Sequence, residues 1–234
     1  MPRNLFQPIL AGAQFPDRLL ACVGAAICIT LTMVVCAQLP LTMGDLPIIV
    51  APLGASAVLV FAVPASPLAQ PWPVVGGNII STLIGVAAFH AIPQATIAAG
   101  IAVGGAILVM SLLRCLHPPG GAAALTAVIG SHGIHDAGYA FAFAPVGINS
   151  IALVALATVF HRMTARNYPH QPMIAPTPIE PQPGTRLHGD DIDAALADMH
   201  DSFDIGRADL DLLLARAEHH AATRRMTRPS RQGH

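Results

Sequence analysis

The run MSLLRCLHPPGG sets Arg114 and His117 beside two prolines and two glycines, with apolar residues on both sides. An ionisable residue near membrane depth is costly and by default functional. Arginine brings a permanent charge and several donors, whereas histidine can change charge near neutral pH. Beside a helix start, the pair suits a small anion. The plainer alternative makes Arg114 an interfacial anchor and His117 a residue bonded to nearby backbone. Ser56 can donate one hydrogen bond, to a substrate or to its own backbone. Asn78 and Asn149 are polar groups in apolar segments that either line a pathway or pin helices. His90 reads as interfacial, and His132, His135 and Asp136, without a fourth ligand, read as a solvated loop. No nucleophile with its base, phosphate loop or paired carboxylates occur in the apolar region. The reading therefore assigns no catalytic residue, metal or cofactor.

The elements that must position these residues are apolar. Of 234 residues, 53% are hydrophobic and 11% charged, against about 25% charged in an average soluble domain. Before His170 the only acids are Asp17, Asp45 and Asp136, and the only bases Arg3, Arg18, Arg114, Arg162 and Arg166. The remaining charges lie in the tail. Lysine is absent and the net charge is −1, so no polybasic tract points to nucleic acid. Cys22, Cys28, Cys36 and Cys115 show no metal or redox spacing and read as small apolar residues.

A spanning helix needs about 20 apolar residues. Six segments are expected: Leu19 to Leu39, Pro47 to Val63, Val74 to Ile92, Ala95 to Leu113, Pro118 to Ile129, and Pro145 to Phe160. The second and fifth are short and broken by Pro and Gly. A turn around Pro40 and Asp45 separates the first two, and the Trp72 loop reads as interfacial. Six crossings put all five bases on the side of both termini, which the positive-inside rule makes cytoplasmic. The first segment is too long for a signal-peptide core and is read as retained.

The two short segments resemble one another. PLGASAVL starts at Pro52 and PGGAAALT at Pro119, and each is followed by a loop and a helix that opens with Asn, at Asn78 and Asn149. Two units of three helices follow, roughly residues 19–92 and 95–166. Three is odd, so the second unit is inverted relative to the first. Paired broken helices in inverted repeats point to a transporter site near the midplane. Helix starts there leave N–H groups that a small anion can satisfy. The expected site is Arg114, His117, Pro119, Gly120 and Gly121 with Gly54, Ala55, Ser56, Asn78 and Asn149.

Residues 1–18 are expected to be a cytoplasmic segment and 19–166 the transmembrane domain. Residues 167–189 form a Pro-rich linker, 190–226 an amphipathic helical tail, and 227–234 a disordered end. Ile192, Leu196, Met199 and Phe203 line one tail face, and Leu210, Leu213, Leu214 and Ala217 another.

The run LRCLHPPGGAAALTAV, with its His117-Pro118-Pro119 triplet, resembles the signature of the HPP family of integral membrane proteins. APLGASAVLVFAVPASPLAQPWPVVGGN, from Ala51 to Asn78, and the RNYPH after the last helix are similar to that family too. The resemblance implies a multi-pass bacterial inner-membrane permease for a small anion, with nitrite the anion linked to some members. It implies no regulatory CBS domains in a chain with this short tail. Small-residue faces are compatible with a homo-oligomer. The rival from another class is a membrane scaffold or sensor whose tail binds a partner.

Overall fold

Proline sets the start of most helices. Pro52, Pro67, Pro71 and Pro118 each open a helix or turn, where the missing N–H costs nothing and the fixed φ is already helical. The computed structural model describes residues 15–38, 46–171, 190–194 and 205–226, in two units divided after residue 170. The first unit holds α1 (Phe15–Ala37), α2 (Pro52–Ala62), a 3-10 turn (Pro67–Ala69) and α3 (Pro71–Ala91). It continues with α4 (Ala95–Leu112), α5 (Pro118–Ile129), α6 (His132–Ala137) and α7 (Ile148–Met163), the last entered through a π-helical segment, Ala142–Gly147. The described residues are all-α.

Four helical stretches are long and apolar enough to cross a membrane: α1, α3, α4 and Ala142–Met163, which is kinked at Ala144. The two short ones, α2 and α5, have 11 and 12 residues. At 1.5 Å per residue they reach about 17 Å, roughly half of a bilayer core of about 30 Å. The second segment is thus shorter than expected, because the chain at Pro47 is not helical and helix begins only at Pro52. One other segment begins earlier than expected: the Trp72 region is the first turn of α3 rather than a loop. The last segment keeps its expected start at Pro145, directly after a break in the helix at Ala144 (φ −133°, ψ 112°). His132 and His135 lie on α6, where a solvated loop was expected. His135 stacks on Phe89 with ring centroids 3.8 Å apart and hydrogen-bonds the Val128 carbonyl. The turn expected around Pro40 and Asp45, and Arg3, lie outside the described residues.

Packing divides the helices into two groups. Ala21 and Cys28 of α1, Leu53, Ala57, Val60 and Phe61 of α2, and Leu153 and Ala157 of α7 share one buried core. The second core joins Ala88 of α3, Ala98, Ala102, Ala106 and Met110 of α4, and Ala124 and Val128 of α5. The third helix of each sequence unit is exchanged: α3 packs on α4 and α5, whereas α7 packs on α1 and α2. Small residues every fourth position on α4 let its backbone approach closely, and Gly85 brings α3 against the backbone of Ala124. The outer faces stay apolar, with Ile27, Leu31, Ile101, Leu108 and Val159 exposed. A patch of that extent suits lipid and not water.

One end of the bundle is tied together by polar contacts. Arg166 after α7 pairs with Asp17 of α1 at 2.6 Å. Trp72 Nε1 donates to the Leu113 carbonyl at 3.2 Å, and Tyr168 Oη to that of Ala69 at 3.0 Å. Both α4 and α7 finish there in a left-handed residue, Arg114 and Ala165, each at φ 54°. Cys115 N returns to the Met110 carbonyl and Arg166 N to that of His161, the bonding that satisfies last-turn carbonyls at a helix C-terminus.

In the second unit residues 190–194 are helical and α8 spans Arg207–Met226. Arg207 pairs with Asp193 and, one turn along its own helix, with Asp211. Leu196, Met199 and Phe203 of the expected first face, most of the Pro-rich linker and the end from 227 lie outside the described residues.

Candidate functional site

His117, directly before α5, is fully buried. Its Nδ1 lies 2.9 Å from the Leu68 carbonyl, and its Nε2 lies 2.8 Å from Ser56 Oγ on α2. A carbonyl only accepts, so Nδ1 carries the proton. In a neutral ring Nε2 is then the acceptor, and Ser56 donates to it. Asn78 Nδ2 in turn donates to Ser56 Oγ at 3.3 Å and to Ser150 Oγ of α7 at 3.1 Å. Ser150 Oγ donates its own hydrogen bond to the Val146 carbonyl at 2.9 Å. The chain of bonds ends with every donor used and one acceptor left over. Asn78 Oδ1 is buried with no hydrogen-bond partner among the described residues.

The sequence places these groups together through close helix contacts. A Cβ on Gly77 would stand 2.6 Å from His117 Cβ and 2.8 Å from the Cys115 carbonyl. Only glycine lets α3 run against the segment leading into α5 there. Gly120 plays the matching part on α5, where a Cβ would meet Ser81 Oγ at 2.6 Å.

Asn149 forms a separate node. Its Oδ1 accepts from Val50 N at 3.0 Å, and its Nδ2 donates to the Ile48 carbonyl at 3.0 Å and to Cys36 Sγ at 3.1 Å. These bonds fix the non-helical approach to α2, whose buried backbone groups would otherwise go unpaired.

The remaining expected site residues divide. Pro119 and Gly120 are buried beside this network, and Gly121 is half-buried. Gly54 and Ala55 are exposed. Arg114 is exposed too, and its side chain makes no hydrogen bond or ion pair among the described residues. It stands outside the His117 network at the tied end of the bundle. The first-turn amides are also not free. Leu53 N bonds the Val50 carbonyl, Gly54 N that of Ala51, and Gly120 N that of His117, while Pro52, Pro118 and Pro119 have no N–H at all. The donors nearest the paired helix starts are therefore side chains, with the helix dipoles adding field rather than open N–H groups.

Two participants went unnoticed in the sequence. Ser150 is the partner of Asn78, and its signal was a second polar residue adjoining Asn149 in an apolar helix. The Leu68 carbonyl, which holds the His117 ring, belongs to a turn that carries no distinguishing side chain. Among the described residues no group of three His, Cys, Asp or Glu side chains could hold a metal ion.

Long apolar helices with lipid-suited outer faces and a buried polar network define a multi-pass helical membrane protein. Residues 11–169 match the model of the HPP transmembrane region, and the chain belongs to the HPP family. Two curated relatives, both described as transmembrane proteins of Dictyostelium discoideum, are 38% identical over 120 residues and 33% identical over 130. These matches cover 49% and 53% of this chain but only 38% and 45% of the relatives. The chain therefore spans less than half the length of either. No solved structure matches it.

Proposed function

We propose that this protein is a permease for a small inorganic anion, nitrite foremost, in a bacterial inner membrane. The observation that carries the reading is the Ser56–His117 bond, which joins the first turn of α2 to the start of α5 inside an apolar bundle. Two half-length helices that begin side by side direct their positive dipole ends to one region. His117, Ser56 and Asn78 supply the polar lining there. Arg114, exposed at the same end as Trp72, attracts the anion from water.

An inverted repeat underlies the arrangement in this reading, and α2 and α5 complete six membrane-inserted segments. The exchange of α3 and α7 between the two cores supports it. Both termini are cytoplasmic in this scheme, because the end tied by Asp17 and Arg166 also carries Arg18, Arg114 and Arg162. The Dictyostelium relatives show that similar chains also occur in a eukaryote.

The test is nitrite uptake into proteoliposomes containing the purified full chain, with chloride, nitrate and formate as competitors. Saturable, protein-dependent uptake that falls severely in Arg114→Gln and His117→Gln supports the reading. Folded protein that moves no small anion rejects it, and unchanged uptake in Arg114→Gln removes that residue from the pathway.

A further inference from the structure

The geometry points to a proton travelling with the anion, carried on His117, whose protonation reverses the hydrogen bonds through Ser56 to Asn78. This inference rests on the anion-permease reading and names its coupling ion. With a neutral imidazole the bonds run one way: Ser56 donates to Nε2, Asn78 Nδ2 donates to Ser56, and Asn78 Oδ1 is the buried group without a partner. An unpaired acceptor disfavours an anion. A proton on Nε2 reverses the direction. Nδ1 still donates to Leu68, Nε2 now donates to Ser56 Oγ, and the hydroxyl must send its own proton onward. The two ends of an amide have nearly the same shape, so Asn78 can turn over in place. Its oxygen then accepts from Ser56 and from Ser150, whose hydroxyl turns away from the Val146 carbonyl, and its NH2 becomes the free group. The site thereby changes from offering an acceptor to offering two donors and a positive charge.

Charge balance makes the coupling obligatory. The elements packed around His117 carry no counter-ion: α2, the Pro67–Ala69 turn, α4 and α5 contain no titratable residue. The only one on α3 is His90, at its far end, and α7 contributes His161, bonded to the Val60 carbonyl, and Arg162. Cys115 and exposed Arg114 share the His117 loop, and Tyr168 bonds Ala69 beside Leu68. None is a carboxylate. A buried imidazolium without a partner is costly, and a buried anion is costly likewise. Each becomes affordable with the other present, so one proton and one monovalent anion bind and leave together. The proton is taken up on Nε2 at one face and released from it at the other, and no covalent bond beyond that N–H is made or broken.

The experiment uses proteoliposomes of the full chain in the same mildly alkaline buffer on both sides, which keeps nitrous acid scarce. Isotopic nitrite uptake above protein-free vesicles is recorded while a potassium gradient with valinomycin sets the membrane potential. Coupled transport is electroneutral, so uptake carries no current and accumulation ignores the potential. An uncoupled monovalent anion would follow the potential, about tenfold for every 59 mV. That dependence in the wild-type protein overturns the proton coupling while leaving the permease standing, whereas no nitrite uptake at all overturns both. A second readout needs no active variant. In 15N-histidine-labelled full-length protein, the His117 signal, assigned by its loss in His117→Gln, shifts from a neutral ring to an imidazolium when nitrite is added. A His117 ring that stays neutral in saturating nitrite also overturns the inference.

Discussion

Ser56 and His117, 61 residues apart in the sequence, lie within 2.8 Å, and this bond is where the two short helices meet. Neither residue has another strong side-chain partner able to replace the other. With the ring neutral, the other acceptor in reach of the Ser56 hydroxyl is the carbonyl of Pro52, at 3.3 Å on its own helix. Replacing Ser56 by Ala strips His117 Nε2 of its donor and Asn78 of an acceptor. An unmet buried polar group costs about 1–3 kcal/mol, so Ser56→Ala should unfold at lower temperature in detergent. Nitrite uptake should fall further than the loss of folded protein explains. A melting temperature equal to wild type would show that water fills the gap without cost.

Asn149 has a structural duty that Asn78 lacks. Its amide satisfies both a donor and an acceptor on residues 48–50, and every one of its polar atoms is used. Asn149→Ala should therefore reduce stability by about 1–3 kcal/mol and release the approach to α2. Asn149→Asp, kept uncharged, retains the acceptor for Val50 N and one O–H donor in place of two N–H groups, and should rank between Ala and wild type. Denaturant titration of the three proteins in one detergent checks the order. An Ala variant as stable as wild type would mean that residues 46–51 are held by something other than this side chain.

Glycines in this bundle differ in kind. At Gly85 an added Cβ would strike the backbone of Ala124, whereas at Gly100 and Gly104 nothing lies within 4 Å. Gly85→Ala must push α3 and α5 apart, and overpacking of this sort costs about 1–3 kcal/mol. Gly104→Ala removes backbone freedom without a clash and should be neutral or raise stability by up to about 1 kcal/mol. Thermal unfolding of the two variants should bracket the wild type. Destabilisation by Gly104→Ala would reveal a close neighbour on α4, such as a second copy of the chain, which the small-residue faces would admit.

Helix positions were legible because proline and apolar length are local signals. Pro118 announces a helix start, and the run from Leu19 announces α1 with no partner needed, whereas the start of α3 at Pro71 lies in a Pro-rich run that reads as a loop. That α2 is short was legible, but its start was not, because Pro47 to Val63 is apolar throughout and only the Asn149 contacts show what holds residues 48–50 outside the helix. His117, Ser56 and Asn78 were chosen separately as polar residues in apolar surroundings, and tertiary packing brings them together. Arg114 was chosen by the same rule and lies outside the network. Its exposure follows from the left-handed turn that ends α4, which apolar neighbours on both sides do not disclose. Free N–H groups at the helix starts were expected from the general geometry of termini, but both short helices, α2 and α5, open on proline, and the amides of Leu53, Gly54 and Gly120 turn back on preceding carbonyls.

The tail offers the cleanest separation between a permease and a scaffold. All residues of the His117 network and both buried cores belong to the unit that ends at residue 170. Tyr168 and His170 must be kept, since Tyr168 Oη bonds the Ala69 carbonyl and His170 N bonds Gln70 Oε1 beside the His117 ring support. A chain ending at Gln171 should therefore fold and take up nitrite at the wild-type rate per molecule. Its polar α8, with Arg207 bridging Asp193 and Asp211 on an exposed surface, then serves something other than the transport step. Exposed ion pairs of this type contribute about 0–1 kcal/mol, so their loss does not endanger the membrane unit. Uptake that vanishes in the folded, truncated protein would tie transport to the tail. Retained uptake together with loss of a captured soluble partner would assign docking to the tail and permeation to the bundle.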